Sequence, residues 1–290
     1  MNNTVRTFNG ATAVITGGAS GIGRALSEEL AKRGSEVVLA DRQIELARQV
    51  ASHIQAAGGK AQAHELDVAD FAAVESLLQT TAERTGRLDY VFNNAGIGIG
   101  GPVELHTIED WRNIMNVNLW GVINGVQAAY QIMIKQGFGH IVNTASMAGL
   151  QPAPGMVSYG TTKHAVVGLS MGLRPEAALV GIRVSVLCPG VVRTPILEGG
   201  KYGKSLVNMP PEQQREAWEK MRPMPADVFA IKTLEAVARN EAIILIPSWW
   251  KLFWWIERLS PSWMMSIAQR EYKKISVSIH ESTNLHNSLP

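Results

Sequence analysis

Cysteine is almost absent from this sequence of 290 residues, because Cys188 is the only one. A single thiol excludes an internal disulfide framework and any zinc site built from several cysteines, and it is compatible with a reducing compartment. Cys188 precedes Pro189 at the end of an apolar run, so we interpret it as a small buried hydrophobic residue. The seven histidines show no metal-ligand spacing, and no metal site is expected.

The sequence also lacks a charge excess, a recognisable leader and a long apolar run. The net charge of +2 is too weak to indicate nucleic acid as a partner. The polar start of the chain, Met1 to Gly10, does not resemble a secretory signal, so a cytoplasmic protein is predicted. The most apolar stretch, Ala242 to Ile256, is interrupted by Pro247 and Lys251 and is shorter than the roughly 20 residues of a membrane-spanning helix.

Short apolar runs rich in β-branched residues alternate with segments of helical periodicity over most of the chain. The candidate strands are Ala11–Thr16, Glu36–Ala40, Ala61–Leu66, Tyr90–Asn93, His140–Thr144, Arg183–Leu187 and Ala242–Ile246. Strands separated by helices imply right-handed crossovers and a parallel sheet covered on both faces. We therefore predict one α/β domain of the doubly wound, Rossmann type over residues 1–246. A lid is predicted at about 195–225 and an amphipathic helical extension at 247–290.

A glycine-rich turn, TGGASGIG, joins the first strand to the first helix at Thr16–Gly23. Glycines here let the backbone approach a pyrophosphate closely, and the helix N-terminus supplies unpaired N–H groups and a positive dipole end. The predicted cofactor-binding residues of the turn are Gly17, Ser20, Gly21, Ile22 and Gly23. The alternative is a turn that only packs the helix on the strand.

Asp41 ends the second strand eighteen residues after Gly23, where its carboxylate could accept hydrogen bonds from an adenosine ribose. A carboxylate at this point repels a 2′-phosphate and favours NAD over NADP. Arg42 could instead pair with such a phosphate, although a solvated surface charge is the simpler interpretation. NAD is the predicted cofactor, with NADP as the alternative.

A serine, a tyrosine and a lysine follow the fifth strand. Tyr159 and Lys163 are four residues apart and would share one face of a helix, and Ser146 lies thirteen residues before Tyr159. An ammonium beside a phenol favours the phenolate, so we expect Lys163 to lower the pKa of Tyr159 and make it a usable general acid/base.

From about Asn9 to Ile246 the sequence resembles the short-chain dehydrogenase/reductase family. The matching motifs are TGGASGIG, Asp67-Val68, NNAG at Asn93–Gly96, VNLWG with Asn118, Ser146, the Tyr159/Lys163 pair, and CPG followed by Val192 and Thr194. The spacing is unlike that of the enoyl reductases of this group and of its extended, epimerase-like branch.

The resemblance implies a role for each matching residue. Tyr159 would be the acid/base, Lys163 would also bind the nicotinamide ribose, Ser146 would hold the substrate oxygen and Asn118 would anchor a water in a proton relay. Further cofactor contacts are expected from Asp67, Val68, Asn94, Gly96, Pro189, Gly190, Val192 and Thr194. The predicted activity is metal-free, NAD-dependent interconversion of a secondary alcohol and a ketone. An NADP-dependent carbonyl reductase and a non-catalytic dinucleotide-binding protein are the alternatives.

Five of the eight tryptophans lie between Trp249 and Trp263, within a segment that is apolar around most of a helical wheel. Three interpretations stay open: contact with a partner subunit or the substrate cleft, a peripheral membrane contact through residues 249–275, or closure of the core. An apolar tail near the lid suggests a lipophilic substrate, such as a steroid-like, aromatic or long-chain alcohol.

The family resemblance also implies a homodimer or homotetramer. The expected subunit contact involves helices around Trp111–Gln136 and Val157–Leu179. Small residues at Gly168, Ser170 and Gly172 would allow the helices to approach closely there.

Overall fold

The computed structural model describes residues 4–198, 200–207 and 211–273, and the end of the predicted extension, 274–290, lies outside them. Seven parallel strands form the main sheet in the order β3-β2-β1-β4-β6-β7-β9. These strands are β1 (Thr12–Thr16), β2 (Glu36–Asp41), β3 (Lys60–Glu65), β4 (Tyr90–Asn93), β6 (Gly139–Thr144), β7 (Ile182–Pro189) and β9 (Ile243–Ile246). The chain reverses its direction of winding between β1 and β4, as in doubly wound folds.

Helices connect the strands and cover both faces of the sheet. They are α1 (Gly21–Lys32), α2 (Ile44–Ala56), α3 (Phe71–Thr85), α4 (Ile108–Met115), α5 (Gly121–Gln136), α6 (Val157–Ala178), α7 (Pro211–Lys220), α8 (Ala226–Ala238) and α9 (Trp250–Leu259). One hydrophobic cluster packs α1, α2 and α8 on one face, and a second packs α3, α5 and α6 on the other. The central strands are buried on both faces, which explains their continuous apolar runs. The predicted doubly wound fold is confirmed.

A second, two-stranded parallel sheet was not predicted. It pairs β5 (Gly98–Gly100) with β8 (Gly203–Ser205) and so joins the loop after β4 to the lid. Lys204 Nζ also lies 2.8 Å from Asp110 Oδ1 at the start of α4, and this ion pair keeps the pKa of Asp110 at about 2. The lid therefore has a defined attachment to the body of the domain.

Two helices follow the last strand. Helix α9 begins at Trp250, and residues 261–273 form a further helix, which we call α10. Pro261 opens α10, because the fixed backbone of proline suits the first position of a helix. Among the described residues no helix combines the length and the apolar character needed to cross a bilayer.

Candidate active site

One cavity of about 710 Å³ follows the carboxyl ends of the central strands. Ligands of doubly wound sheets bind at this edge, in the crevice where the winding reverses. Of the residues predicted to bind the cofactor or act in catalysis, the cavity wall includes Gly17, Ser20, Gly21, Ile22, Asp41, Arg42, Asp67, Val68, Asn94, Gly96, Ser146, Tyr159, Lys163, Pro189, Gly190, Val192 and Thr194. Residues far apart in sequence thus share one cleft.

The glycine-rich turn has the backbone geometry that a phosphate cradle needs. Gly17 and Gly21 have φ angles of +65° and +51°, which glycine adopts without steric cost. Ser20 precedes α1 as its N-cap, and its hydroxyl makes no capping hydrogen bond. The first N–H groups of α1 and this hydroxyl therefore fit the negative oxygens of a pyrophosphate.

Gly23 is not part of the cavity wall, although we predicted it to bind cofactor. A Cβ atom at this position would lie 2.0 Å from the carbonyl oxygen of Gly17 and 2.7 Å from Asn94 Nδ2. Glycine is required here for the close packing of α1 on the turn. The helix-packing interpretation, which we gave to the whole turn as the alternative, applies to this one position.

The Asp41 carboxylate is held in place by the backbone of the neighbouring loops. It is buried, and its oxygens accept hydrogen bonds from the N–H groups of Ala19, at 3.1 Å, and Gln43, at 2.9 Å. Arg42 is exposed and its Nε lies 3.7 Å from Asp67 Oδ2. Arg42 therefore has an acidic neighbour in Asp67. The Asp41 carboxylate retains lone pairs that can accept hydrogen bonds from ribose hydroxyls.

Thr16 connects β1 to the end of β4. Its hydroxyl oxygen accepts hydrogen bonds from the N–H groups of Asn94, at 2.9 Å, and Ala95, at 3.0 Å. The Asn94 amide in turn donates to the carbonyl oxygen of Thr16 at 3.1 Å. These bonds hold the floor of the cavity. We did not predict the role of Thr16, and its only sequence signal is its position just before the glycines.

Ser146 and Tyr159 meet at the centre of the cavity. Ser146 follows β6, where its hydroxyl also accepts a hydrogen bond from the N–H of Ala148 at 3.1 Å. Tyr159 lies in the first turn of α6, and its phenol lines the same cavity as the Ser146 hydroxyl. Burial raises the pKa of Tyr159 above its usual value, and the Ser146 hydroxyl opposes this rise.

Lys163 lies one turn further along α6 and is 3% exposed. Its Nζ donates to the carbonyl oxygen of Thr144 at 2.9 Å and lies 5.5 Å from the centre of the Tyr159 ring. Burial lowers the pKa of Lys163 to about 8. The expected lowering of the Tyr159 pKa by this ammonium is therefore not found, because the lysine faces a backbone carbonyl and burial has the larger effect on the phenol.

Asn118 lies behind the cavity wall rather than in it. It belongs to a π-helical turn, Asn116–Trp120, between α4 and α5, and it is completely buried. Its Oδ1 accepts from the N–H of Ile97 at 2.8 Å and its Nδ2 donates to the carbonyl oxygen of Ile97 at 2.9 Å. The amide thus clamps the loop next to Gly96, and its contact with a relay water stays a prediction.

The substrate side of the cavity contains residues that the sequence motifs did not indicate. They are Ile97, Gln151, Met156, Ile196, Trp218, Met221 and Trp250. Trp250, from α9, packs directly on Gly190, where a Cβ atom would lie 2.0 Å from the indole Nε1. The C-terminal extension therefore supplies part of the wall, and apolar groups predominate on this side.

Comparison with known proteins agrees with the fold and with the sequence motifs. The model of the short chain dehydrogenase family matches residues 11–201. A levodione reductase from Leifsonia aquatica is 37% identical over 215 residues, which are 73% of this chain and 79% of that protein. A 2,5-dichloro-2,5-cyclohexadiene-1,4-diol dehydrogenase from Sphingobium indicum is 38% identical over 187 residues, 64% of this chain and 75% of that protein.

A solved structure agrees with these relatives. A short-chain dehydrogenase/reductase from Burkholderia phymatum, in complex with NAD, superimposes with a TM-score of 0.77 at 33% identity, covering 87% of this chain and 94% of that one. The chain belongs to the short-chain dehydrogenase/reductase family of oxidoreductases.

Proposed function

We propose that this short-chain dehydrogenase/reductase interconverts a secondary alcohol and a ketone with NAD(H), on a lipophilic substrate. The observation that carries the proposal is the grouping of Ser146, Tyr159 and Lys163 in one cavity that also contains the glycine-rich turn. This arrangement combines a proton donor/acceptor with a dinucleotide cradle. It needs no metal ion to stabilise the substrate oxygen.

In this proposal the chain's own residues orient the substrate and move one proton. The Ser146 hydroxyl and the Tyr159 phenol bind the substrate oxygen, and Tyr159 takes the hydroxyl proton during oxidation or donates it during reduction. The two hydrogen bonds stabilise the negative charge that develops on that oxygen. When bound, NAD(H) supplies the hydride acceptor or donor. Lys163, one helical turn from Tyr159, would hold the ribose of the bound cofactor close to the phenol.

NAD is favoured over NADP by the nucleotide end of the cavity. Asp41 is buried and negative, and a 2′-phosphate beside it would be repelled. Arg42, the one residue we considered as a phosphate ligand, lies beside Asp67. The relative from Burkholderia phymatum binds NAD, which supports the same choice. NADP-dependent carbonyl reduction stays the alternative.

A lipophilic substrate is supported by the residues that face the reacting groups. Met156, Ile196, Trp218, Met221 and Trp250 line the same cavity as Ser146 and Tyr159. Apolar walls favour substrates that lose little hydration on binding. The Sphingobium relative is named for a chlorinated cyclic diol, a compact apolar ring with two hydroxyl groups. We infer an aromatic, cyclic or long-chain secondary alcohol.

We further propose that the chain forms a homo-oligomer in the cytoplasm. Trp120, Ile134, Val157 and Met171 on α5 and α6 and the turn before α5 are exposed hydrophobic residues within the helices expected to make the contact. Cβ atoms at Gly168 and Gly172 would meet nothing within 4 Å, as expected on an outer face. Ser170 differs from this expectation, because it is buried and accepts a hydrogen bond from Asn143 at 3.0 Å.

A turnover panel tests the function. Purified protein is assayed with NAD and NADP against bulky apolar secondary alcohols and short polar polyols, at matched concentrations. We expect kcat/KM to be highest for an apolar alcohol with NAD. A preference for polyols would contradict the lipophilic substrate, and dinucleotide binding without any turnover would favour the non-catalytic alternative.

A further inference from the structure

Helix α9 is apolar on two faces, and the fold uses only one of them. Its inner residues, Trp250, Phe253 and Trp254, pack into the hydrophobic cluster on one side of the sheet. On the outer face, Leu252, Trp255 and Leu259 recur at helical spacing and are 63%, 53% and 80% exposed. Core closure therefore accounts for the inner tryptophans but leaves the outer residues unexplained.

The exposed apolar surface extends beyond α9 at both ends. Trp249, just before the helix, and Trp263 and Met265, in α10, are each at least half exposed. We call Trp249, Leu252, Trp255, Leu259, Trp263 and Met265 the outer tail surface. Scattered single hydrophobic residues on a protein surface are ordinary, but six within seventeen residues of sequence, three of them on one face of α9, are a concentration that indicates a binding surface.

Positive side chains flank the outer tail surface. Lys251 and Arg258 are exposed and seven residues apart, so they lie on the same flank of α9. The one acidic residue of α9, Glu257, is partly buried on the inner side. In α10, Arg270, Glu271 and Lys273 are all exposed, so two positive charges and one negative charge leave α10 with a positive excess of one. An apolar stripe with cations along its border can bury its centre in acyl chains while the cations reach lipid phosphates.

The same charges disfavour a second copy of the chain as the occupant. In a twofold contact centred on this stripe, Lys251 and Arg258 of one copy would face those of the other. No exposed acidic residue of α9 is available to compensate them. Anionic lipid headgroups instead supply the complementary charge, and exposed tryptophans suit a surface that is apolar on one side and hydrated on the other.

We propose that the outer tail surface docks onto an anionic lipid bilayer, with α9 lying in the plane of the membrane interface. This surface lies beyond the residues matched by the family model, which end at residue 201. Because Trp250 on the opposite face of α9 lines the active-site cavity, docking brings one wall of that cavity close to the lipid. The proposal concerns binding alone and does not depend on turnover.

Vesicle sedimentation with the full chain tests the proposal. The probes are phosphatidylcholine vesicles with and without about 30% phosphatidylglycerol, at low and high salt. We expect the protein to sediment with the anionic vesicles, and less at high salt. Leu252→Gln/Trp255→Gln/Leu259→Gln should lower the partition coefficient at least tenfold, because it removes the buried apolar area. Lys251→Gln/Arg258→Gln should lower it severalfold for anionic vesicles only.

The matched control is Ile231→Gln, which removes an apolar side chain that is 38% exposed and lies on α8, on the opposite face of the sheet from α9. It should leave the partition coefficient within twofold of the parent value. Quenching of tryptophan fluorescence by brominated lipids in the unsubstituted protein gives a second measurement that needs no variant to fold. Strong quenching supports docking through the tryptophans.

Three results would overturn the proposal. The first is that the parent protein neither sediments with anionic vesicles nor shows quenching. The second is that the triple variant binds as well as the parent. The third is that the triple substitution converts a dimer into a monomer in sedimentation velocity while the parent ignores lipid, which assigns the outer tail surface to a second copy of the chain.

Discussion

The two ends of the cavity are built in different ways. At the nucleotide end, short polar contacts within the central strands and turns hold the groups in place, such as the two backbone N–H groups on Asp41 and the Thr16 contacts to Asn94 and Ala95. At the substrate end, the wall comes from the lid and from α9. The lid is attached by the three-residue strand β8, which pairs with β5, and by ion pairs between exposed side chains, such as Arg193 with Glu219.

This difference separates what the family shares from what is particular to this chain. The nucleotide end depends on strand ends and on glycines that tolerate no side chain, so it has little freedom to vary. The substrate end depends on segments that touch the body at a few points and can be exchanged without disturbing the sheet. We therefore expect substitutions at the nucleotide end to alter cofactor use, and those at the substrate end to alter substrate choice.

The largest effect is expected at the junction of the two ends. Tyr159→Phe removes the proton donor/acceptor and should lower kcat by about 10²- to 10⁴-fold. Fluorescence titration with NADH should give a dissociation constant within about threefold of the parent, because the phenyl ring stays. A variant that keeps most of its activity would show that another group moves the proton.

A substitution at the nucleotide end should change cofactor use alone. Asp41→Asn keeps the shape but removes the charge, so KM for NAD should rise about tenfold and the discrimination against NADP should weaken. Arg42→Gln is the matched control, and its effect on the NAD kinetics should be less than about threefold because its partner is exposed. Steady-state assays with both cofactors distinguish the two. Equal losses with NAD and NADP would contradict the role of Asp41.

A substitution at the substrate end should act through packing. Gly190→Ala places a Cβ atom against the Trp250 indole and should cost about 1–3 kcal/mol of unfolding free energy. Adding Trp250→Ala should remove this clash, so the effect of Gly190→Ala should be smaller in the double variant. Gly168→Ala, in open space on α6, is the control and should not destabilise the protein. Urea unfolding of the parent, Gly190→Ala, Trp250→Ala and the double variant measures the coupling between the two positions. Strictly additive changes in unfolding free energy would refute the contact.

The smallest effect, taken over one pH unit, is expected for the pH dependence of the unfolding free energy that Lys163 contributes. Its pKa is about 8 in the folded chain, whereas the ordinary value for a lysine is 10.5, so between these values the unfolded chain binds more protons. Stability should therefore rise with pH in this window, by at most about 1.4 kcal/mol per pH unit. Buried Cys188, with a pKa raised to about 12, acts in the opposite sense above pH 9.

The lysine contribution is isolated by comparison with Lys163→Met, which lacks it but keeps Cys188. The difference in unfolding free energy between parent and variant, measured from about pH 7.5 to about pH 10, should change in favour of the parent as pH rises. A constant difference would mean that Lys163 keeps its charge in the folded protein.

Much of the nucleotide end could be predicted from the sequence because its signals are local. Each of the seven strands was found within two residues of its observed ends, since a buried parallel strand is a continuous apolar run. The two strands that were missed, β5 and β8, are three residues long and rich in glycine, which is too short for any periodicity. Gly23 and Asn118 are absent from the cavity wall, because a motif indicates proximity to a site but not which atoms face it.

The order of elements, the parallel sheet and the pairing of Tyr159 with Lys163 follow from the sequence alone, because they depend on the alternation of apolar runs and on helical spacing. Ser146 joins this pair through the resemblance to the family. Only the tertiary structure decides that burial raises the pKa of Tyr159, that the Asn118 amide clamps Ile97, and that Trp250 turns inward while Trp255 turns outward. These outcomes depend on which segments, distant in sequence, pack against each other. A local pattern does not contain that information when a helix is apolar around most of its circumference.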